Sequence, residues 1–372
     1  MIDTVILQIP QGKYLILKPE RFQPNAEALK QPGNYLIKYV NNPTAQDKRT
    51  KHYRPRLTLM KRMTKNGQTE QPLKIEFSIP KLLYGNNLDE TAEVEFPELI
   101  KKLATELREI GVGVLSELLI NAKVSAVHYS KNLELPYPYT CSSVLKDLAK
   151  VNVPKRLDLT PMKFTNGEAL QYYTASHSLV FYDKIQDLTK PDKRATDKHQ
   201  NYVQRSLFEP LSDSHLEILR MEVRLSKKQK LNSLFGKLGF PINPTLRDVI
   251  QNKTAKTVIE HYWREFVAEH NLFIFDTHTS PHQILQDILA SEPKIKPKQA
   301  IYLTGLKTLA QDEAGIRKLR QALSPKSSDR TWMRLAKGLR TLNRSPTQYH
   351  DWVKQIITQI DEFKPYKHEV DM

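Results

Sequence analysis

The sequence predicts an α+β fold, with an antiparallel sheet and packed helices in the N-terminal part and a mainly helical C-terminal part. Up to about residue 235, short β-prone runs alternate with turn residues, whereas apolar residues beyond residue 243 recur with a helical period. The segment between them, residues 234–243, is punctuated by glycine and proline. We therefore predict a first domain at residues 1–236, a second at residues 237–364 and a flexible tail at residues 365–372.

The predicted strands of the first domain are short runs rich in β-branched and aromatic residues, bounded by proline, glycine or asparagine. They lie at residues 5–9, 35–40, 56–60, 73–79, 122–129, 178–184 and 218–226. A helix is predicted at residues 97–110, where apolar residues recur every three or four positions between Pro97 and Gly111. This helix would lie across the sheet, which gives an α+β layer arrangement.

Two apolar faces predict helices in the second domain. One runs through residues 258–267 and the other through residues 349–363. The second helix would begin with Ser345 as its cap and Pro346 in its first turn. Aromatic stripes of this kind are typical of a helical core.

Composition restricts the class of protein. Lys and Arg number 57 against 41 Asp and Glu, which gives a formal charge of +16. The one cysteine, Cys141, excludes a disulfide scaffold and a cysteine-based zinc finger. No apolar run approaches the ~18 residues of a membrane helix, and the first residues do not resemble a secretory signal. We expect a soluble protein in a reducing compartment with a polyanionic partner, nucleic acid first and an anionic membrane surface second.

Positive charge is concentrated at residues 48–65, which contain eight basic residues and no acidic residue. Interleaved His52 and Tyr53 suit contact with phosphates and bases. The candidate DNA contacts are Arg49, Lys51, Arg54, Arg56, Lys61 and Arg62. The alternative is a solvated hairpin or loop.

Alternation along the predicted strand at residues 218–226 places Arg220, Glu222 and Arg224 on one face. One carboxylate between two guanidinium groups fits a cleft that handles anions, in which Glu222 binds a divalent cation and the arginines hold phosphates. The alternative is a ladder of salt bridges on a wet surface.

Three further residues are candidates for chemistry. His128 has small neighbours on its strand face and could ligate a metal or act as a structural histidine. Tyr182 could be a nucleophile, activated by a metal-polarised phosphate or by Lys184, or could be half-buried packing. Glu76 is the weakest candidate, as a further metal ligand.

These residues occur in an order that resembles the gene II/X-type replication proteins of phages and plasmids, which initiate rolling-circle replication. The start Met1-Ile2-Asp3-Thr4-Val5 is similar to that of the family. Residues 76–87, 124–132, 179–184 and 219–225 resemble, respectively, its Ser-x-x-Lys-x-Leu-x-Gly-x-Asn signature, its Ser-Arg-Ile-Asp strand, its aromatic-Tyr-acidic-Lys strand and its Arg-x-Glu-x-Arg strand. The resemblance covers about residues 1 to 270.

The resemblance implies a nuclease-like N-terminal domain and a metal-dependent, site-specific single-strand endonuclease and ligase. Tyr182 matches the family tyrosine that attacks DNA and forms a 5′-phosphotyrosyl link with a free 3′-hydroxyl. Glu222 matches the carboxylate that binds Mg²⁺ or Mn²⁺. His128 and Glu76 would complete the metal site, His128 standing where the family has an acidic residue. Arg220, Arg224 and Lys184 would stabilise charge, and Lys81 and Lys131 would contact DNA.

Origin recognition is predicted at residues 294–344, which contain 13 basic and three acidic residues. Residues 312–323, a Ser-Pro-Lys-Ser turn and a helix after Ser328 would form a helix-turn-helix. Arg330, Arg334 and Lys337 would then face DNA, opposite an apolar face that contains Trp332. The alternative is a basic solvated helix pair.

The predicted function is initiation of rolling-circle replication in the cytoplasm of a bacterial host. Its partners would be single- and double-stranded origin DNA and the host helicase and polymerase, with no membrane. A non-catalytic origin-binding regulator and a relaxase-type nickase for plasmid mobilisation are the alternatives. A tyrosine recombinase is disfavoured because the Arg…His-x-x-Arg…Tyr order is absent. The sequence leaves open the oligomeric state and whether Tyr129, Tyr172 or Tyr173 also takes part.

Overall fold

The computed structural model describes most of the chain. The described residues are 1–24, 37–49, 52–63, 69–151, 163–165, 169–189, 216–269, 271–277, 280–312, 315–326, 328–340 and 349–368.

The described strands are β1 (Ile2–Ile9), β2 (Leu15–Ile16), β3 (Gln23–Pro24), β4 (Ile37–Asn41), β5 (Arg56–Met63), β6 (Thr69–Glu70), β7 (Leu73–Ser78), β8 (Val112–Gly113), β9 (Lys123–Glu134), β10 (Lys163–Thr165), β11 (Ala169–Tyr173), β12 (His177–Asp183) and β13 (Ile218–Leu225). Eleven of them form the antiparallel sheet at the centre of the fold, with the order β10-β11-β12-β13-β9-β1-β7-β5-β4-β3 and β6 paired with β5. A separate ribbon pairs β2 with β8.

Helices pack against the sheet and make up most of the described C-terminal part. They are α1 (Ala45–Arg49), α2 (Ile79–Tyr84), α3 (Phe96–Glu109), α4 (Ser116–Ile120), α5 (Cys141–Ala149), α6 (Lys184–Thr189), α7 (Lys228–Leu238), α8 (Leu246–Ile250), α9 (Asn252–Trp263), α10 (Pro281–Ser291), α11 (Pro297–Gln311), α12 (Gly315–Leu323), α13 (Asp329–Arg340) and α14 (Asp351–Glu362). A π-helical turn at Arg264–Ala268 extends α9.

The two faces of the sheet differ in chemistry because strand residues alternate. Val5 of β1, Val127 of β9 and Val223 of β13 are fully buried against the helices in one continuous core. Their neighbours Thr4 and His128 are only half-buried on the opposite face. The sheet therefore presents one apolar face to the helices and one polar, partly open face.

The structure confirms the predicted fold class, a large antiparallel sheet followed by helices. The predicted helix at residues 97–110 is α3, which has Pro97 in its first turn and buries Leu99, Leu103 and Leu107. Proline suits that position because the first amide of a helix has no intrahelical partner. Residues 35–36 of one predicted strand lie outside the described residues.

The last helix begins later than the sequence predicts. Tyr349 forms a β-bridge with Asp276, and the amide of His350 donates to the carbonyl of Phe275 over 3.0 Å. These bonds keep the chain extended, so α14 begins at Asp351. Ser345 and Pro346 lie outside the described residues.

The core continues across the predicted boundary at residues 236 and 237. Phe235, Val249 and Trp352 are buried in the same cluster as Tyr129 of the sheet. Residues 365–368, the described part of the predicted tail, lie against residues 84–95. The division into domains stays a prediction. In the described part of the chain, no helix is both long and apolar enough to cross a membrane.

Candidate active site

Three neighbouring strands bring most of the predicted site together. In the register of β12 with β13, Tyr182 lies opposite Arg220, and in that of β13 with β9, Arg224 lies opposite His128. Glu222 lies between the two arginines along β13. Residues opposite each other on antiparallel strands share a face, so these side chains converge on the polar, partly open face of the sheet.

Glu222 is the centre of this group. Arg224 donates to both of its oxygens, from Nε over 2.9 Å and from Nη2 over 3.1 Å. The Tyr182 hydroxyl donates to Oε2 over 3.3 Å, and Nδ1 of His128 lies 3.4 Å from Oε1. Burial alone would raise the pKa of Glu222, but Arg224 and His128 lower it well below its usual range. The carboxylate is therefore ionised.

Asp3 joins this group, although its sequence pattern alone does not mark it as a site residue. One ligand atom each from Asp3, His128 and Glu222 lies within 4.8 Å of the others. Asp3 also lies 3.6 Å from Nη2 of Arg220. The signal that could have found it is the resemblance itself, because Asp3 is the acidic residue of the opening segment.

Glu76 is not part of this cluster. It lies on β7 opposite Ile6 of β1, and its carboxylate is 3.2 Å from the ammonium of Lys74. Strand β1 thus separates Glu76 from His128.

Two carboxylates and one imidazole suit a divalent cation that prefers oxygen ligands and tolerates nitrogen. Asp3 is 19% exposed and His128 is 24% exposed, so the group opens toward solvent. A carboxylate has about four lone-pair sites, which lets Glu222 keep its bonds with Arg224 and still ligate. Asp3, His128 and Glu222 therefore fit a metal site.

Tyr182 and Lys184 lie at the end of β12. Burial raises the pKa of Tyr182 well above its usual value, so the hydroxyl is protonated at neutral pH. Lys184 is fully buried, with its ammonium 3.1 Å from Asp187 and 5.7 Å from the centre of the Tyr182 ring. Burial and the neighbouring Arg220 lower the pKa of Lys184 to about 8.

Arg220 is held from several sides. Its Nη1 donates to the carbonyl of Asn87 over 2.6 Å, and its Nη2 donates to the hydroxyl of Ser130 over 2.8 Å. It is 1% exposed. These bonds fix the guanidinium beside Asp3 and opposite Tyr182.

The other candidate tyrosines are not part of the cluster around Glu222. The hydroxyls of Tyr129 and Tyr172 donate to the carbonyls of Val249 and Leu148 on the helical side of the sheet. Tyr173 lies opposite Ser178 of β12 and is half-buried on the open face.

The predicted DNA contacts of the N-terminal part differ in exposure and in their partners. Arg49 and Lys61 are exposed, and Arg56 and Lys81 are half-buried. Arg54 makes ion pairs with Asp47, Glu106 and Glu109, so its charge is already balanced within the protein. Lys131 is buried, and its ammonium lies 3.0 Å from the carboxylate of Glu90. Lys51 and the side chain of Arg62 lie outside the described residues.

In the C-terminal part, α12 and α13 occur where a helix pair is predicted, joined by a 3₁₀ turn at Ser324–Lys326. Arg330, Arg334 and Lys337 of α13 are exposed, whereas Trp332 and Leu339 are buried. The basic face of α13 therefore points to solvent.

A polar sheet face that combines a tyrosine, two carboxylates, an imidazole and several cations is the kind of arrangement that can bind phosphate groups and stabilise negative charge on them. The family model of the N-terminal region of the phage gene II replication-associated protein matches residues 1–237. The chain therefore belongs to this family of rolling-circle replication initiators, as the sequence motifs predict, and family membership implies DNA binding. No curated protein and no solved structure matches the chain.

Proposed function

We propose that the protein initiates replication by cutting one DNA strand at the origin and later rejoining it, with Tyr182 as the nucleophile. The observation that supports this most strongly is the hydrogen bond from the Tyr182 hydroxyl to Glu222, in the middle of the polar cluster and within the family region. The reaction would use the open face of the sheet, where a DNA strand can approach.

In the proposed step, Oη of Tyr182 forms a bond to the phosphorus of the scissile phosphodiester, and the bond from phosphorus to the 3′ oxygen breaks. The proton that the tyrosine loses is balanced by the proton that the 3′-hydroxyl gains. The product is a 5′-phosphotyrosyl link and a 3′-hydroxyl that can prime synthesis by the host polymerase. Because one phosphodiester replaces another, the step is reversible and the same site can rejoin the strand.

The side chains have separate roles in this proposal. Glu222 orients the Tyr182 hydroxyl, and Arg224 keeps Glu222 ionised. Arg220 and Lys184 place positive charge beside the position where the attacked phosphate becomes more negative. Their burial increases the effect, since charges interact more strongly away from water.

Asp3, His128 and Glu222 would hold the divalent cation, Mg²⁺ or Mn²⁺. A cation bound there would neutralise charge on the non-bridging oxygens of the phosphate. Its requirement is tested by comparing activity in Mg²⁺, Mn²⁺ and chelator.

We further propose that α12 and α13 bind duplex origin DNA through Arg330, Arg334 and Lys337. Exposed basic residues on one helix face supply the phosphate contacts that position a protein on DNA. The protein would act in the cytoplasm of its bacterial host, where helicase and polymerase would follow the cut.

The test uses supercoiled DNA that carries the flanking sequence of the gene, with purified protein and Mn²⁺ or Mg²⁺. Wild-type protein should convert it to open circles, and chelator should stop the reaction. Tyr182→Phe should lower the rate on the order of 10³-fold or more while DNA binding stays unchanged. Tyr173→Phe, on the same face of a neighbouring strand, should retain the first cut.

Binding of the flanking DNA without any cut, at every metal concentration, would instead support a non-catalytic regulator. If the Tyr182→Phe variant cuts at the wild-type rate, Tyr182 is not the nucleophile.

A further inference from the structure

The loop at residues 85–90 connects α2 to the rest of the fold and contains the end of the signature segment. The side-chain oxygen of Asn86 accepts hydrogen bonds from the backbone amides of Leu88, over 2.9 Å, and Asp89, over 3.0 Å. Gly85 has φ of 74°, a left-handed conformation that glycine adopts without strain. This turn fixes the course of the loop.

The inner side of the loop holds the active-site strands. The carbonyl of Asn87 accepts from Arg220, and the carbonyl of Leu88 accepts from the side-chain amide of Asn132 over 2.7 Å. The carboxylate of Glu90 accepts the backbone amide of Asn132 over 2.7 Å. A shift of the loop would therefore displace the acceptor of Arg220.

The outer side of the loop is held by the C-terminal segment at residues 364–368. Glu90 and Tyr366 bond to each other twice: the Glu90 amide donates to the Tyr366 carbonyl over 2.8 Å, and the Tyr366 amide donates to the Glu90 carboxylate over 2.9 Å. The amide of His368 donates to Asp89 over 2.8 Å. These bonds join parts of the chain more than 270 positions apart.

Two side chains of this segment add contacts around the same loop. Lys367 donates to the hydroxyl of Tyr84 over 2.7 Å and lies 3.3 Å from Glu95. Tyr366 packs on an apolar cluster that contains Leu88 and Leu188. Leu188 belongs to α6, the helix that follows β12, so the segment contacts the loop that holds Arg220 and packs on a cluster that includes a residue of the helix beside Tyr182.

We propose that residues 364–368 position the active site: by fixing the loop at residues 85–90, they hold the Arg220 guanidinium in place for the cleavage step. The inference rests on the proposed nicking function. Loops gain conformational freedom when their contacts are lost, and a guanidinium displaced by about 1 Å stabilises the reacting phosphate less. The effect should therefore fall on the rate constant of cleavage and not on DNA affinity.

The first experiment compares two truncations with the full chain. A chain that ends at residue 363 should cut at least about tenfold more slowly, whereas one that ends at residue 368 should stay within about twofold of the full chain. Origin binding should be equal in all three. A synthetic peptide of residues 362–372, added in excess, should restore part of the lost rate, which a merely misfolded protein would not allow.

The second experiment approaches the loop from its other side in the full-length chain. Asn86→Ala removes the side-chain acceptor of the turn and should produce the same slow cutting. Combined with the truncation at residue 363, it should add little further loss, because both changes release the same loop. Asn121→Ala is the matched control, since the Asn121 side chain bonds only within its own exposed turn among the contacts described.

Hydrogen exchange gives a readout that does not depend on activity. The amides of Leu88, Asp89 and Glu90 should exchange faster in the chain that ends at residue 363 than in the full chain. If the full chain cuts and the chain ending at residue 363 cuts equally fast, the positioning role is refuted while the proposed function stands. If the full chain does not cut at all, the proposed function fails and the positioning role fails with it.

Discussion

Replacing Glu90 by Gln should destabilise the fold, because Glu90 is a buried charge on which several groups depend. Its carboxylate lies 3.0 Å from the ammonium of Lys131, and it accepts the amides of Asn132 and Tyr366. Both side chains of the Glu90–Lys131 pair are less than 5% exposed. The amide of glutamine keeps the shape but removes the charge and one acceptor, and leaves Lys131 buried without its counter-ion.

The size of the effect follows from two independent arguments. Burial by itself would raise the pKa of Glu90, but the amino group of Met1 and the ammonium of Lys131 lower it from 4.5 to about 2. At about 1.4 kcal/mol per pKa unit, that fall corresponds to about 3 kcal/mol of stabilisation of the ionised form. Removal of one partner from a buried ion pair costs about 3–5 kcal/mol. We expect a loss of about 3 kcal/mol in the free energy of unfolding.

The pH dependence has a definite sign. The folded-state pKa of Glu90 lies below its unfolded value, so its stabilisation is complete above about pH 4.5 and is lost as the pH falls toward 2. The difference in stability between wild type and Glu90→Gln should therefore be present above about pH 4.5 and should narrow below that pH.

Urea unfolding followed by tryptophan fluorescence and circular dichroism at pH 7 and pH 3.5 measures this difference. Glu98→Gln is the matched control: its partner Lys102 is one helical turn away at the surface, and such pairs contribute about 0.5 kcal/mol or less. A loss below about 1 kcal/mol at pH 7 in Glu90→Gln, or a difference that grows on acidification, would refute the reasoning.

Three further predictions test other parts of the molecule. Asp3→Asn should raise the Mn²⁺ concentration that gives half-maximal nicking about tenfold or more, whereas Glu76→Gln should change it by less than about twofold. Equal effects of the two variants in metal titrations would contradict the assignment of Asp3 as a metal ligand. Arg334→Ala and Lys337→Ala should each weaken duplex binding and lower the slope of log affinity against log salt by about 1; fluorescence anisotropy that gives an unchanged slope would contradict DNA contact by α13. Leu103→Ala should lower the free energy of unfolding by about 2–5 kcal/mol because Leu103 is fully buried in α3, and a urea midpoint equal to wild type would argue against that packing.

Local sequence patterns predict where most of the strands and helices lie. Alternation and helical periodicity are properties of short segments, and they located β13 and α3. The pairing of β13 with both β9 and β12 could not be derived from the patterns, since it depends on contacts between segments far apart in the chain. The late start of α14 depends in the same way on the bridge between Tyr349 and Asp276.

The candidate site also depends on contacts that local sequence patterns do not predict, and Asp3 is the clearest example. Strict alternation along β1 would place Asp3 with Val5 on the apolar face. The register of β1 with β9 shifts between Ile2 and Thr4, an irregularity that turns Asp3 toward His128. A shift of this kind has no local sequence signal.

Lys131 shows that a sequence does not reveal whether a basic side chain is exposed. The sequence analysis predicts it as a DNA contact, but its side chain is buried on β9 and its ammonium lies 3.0 Å from Glu90. Glu90 comes from a loop 41 positions earlier in the chain. Sequence identifies a charge, whereas only the fold identifies its partner.

The most direct test of the central claim is to locate the covalent link. Wild-type protein is allowed to cut a single-stranded origin oligonucleotide, the denatured complex is digested with nuclease and protease, and the modified peptide is identified by mass spectrometry. We expect a nucleotide linked through its 5′-phosphate to Tyr182, together with a free 3′-hydroxyl on the released strand. A link on any other residue, or a cut with no link to protein, would contradict the proposal that Tyr182 is the nucleophile.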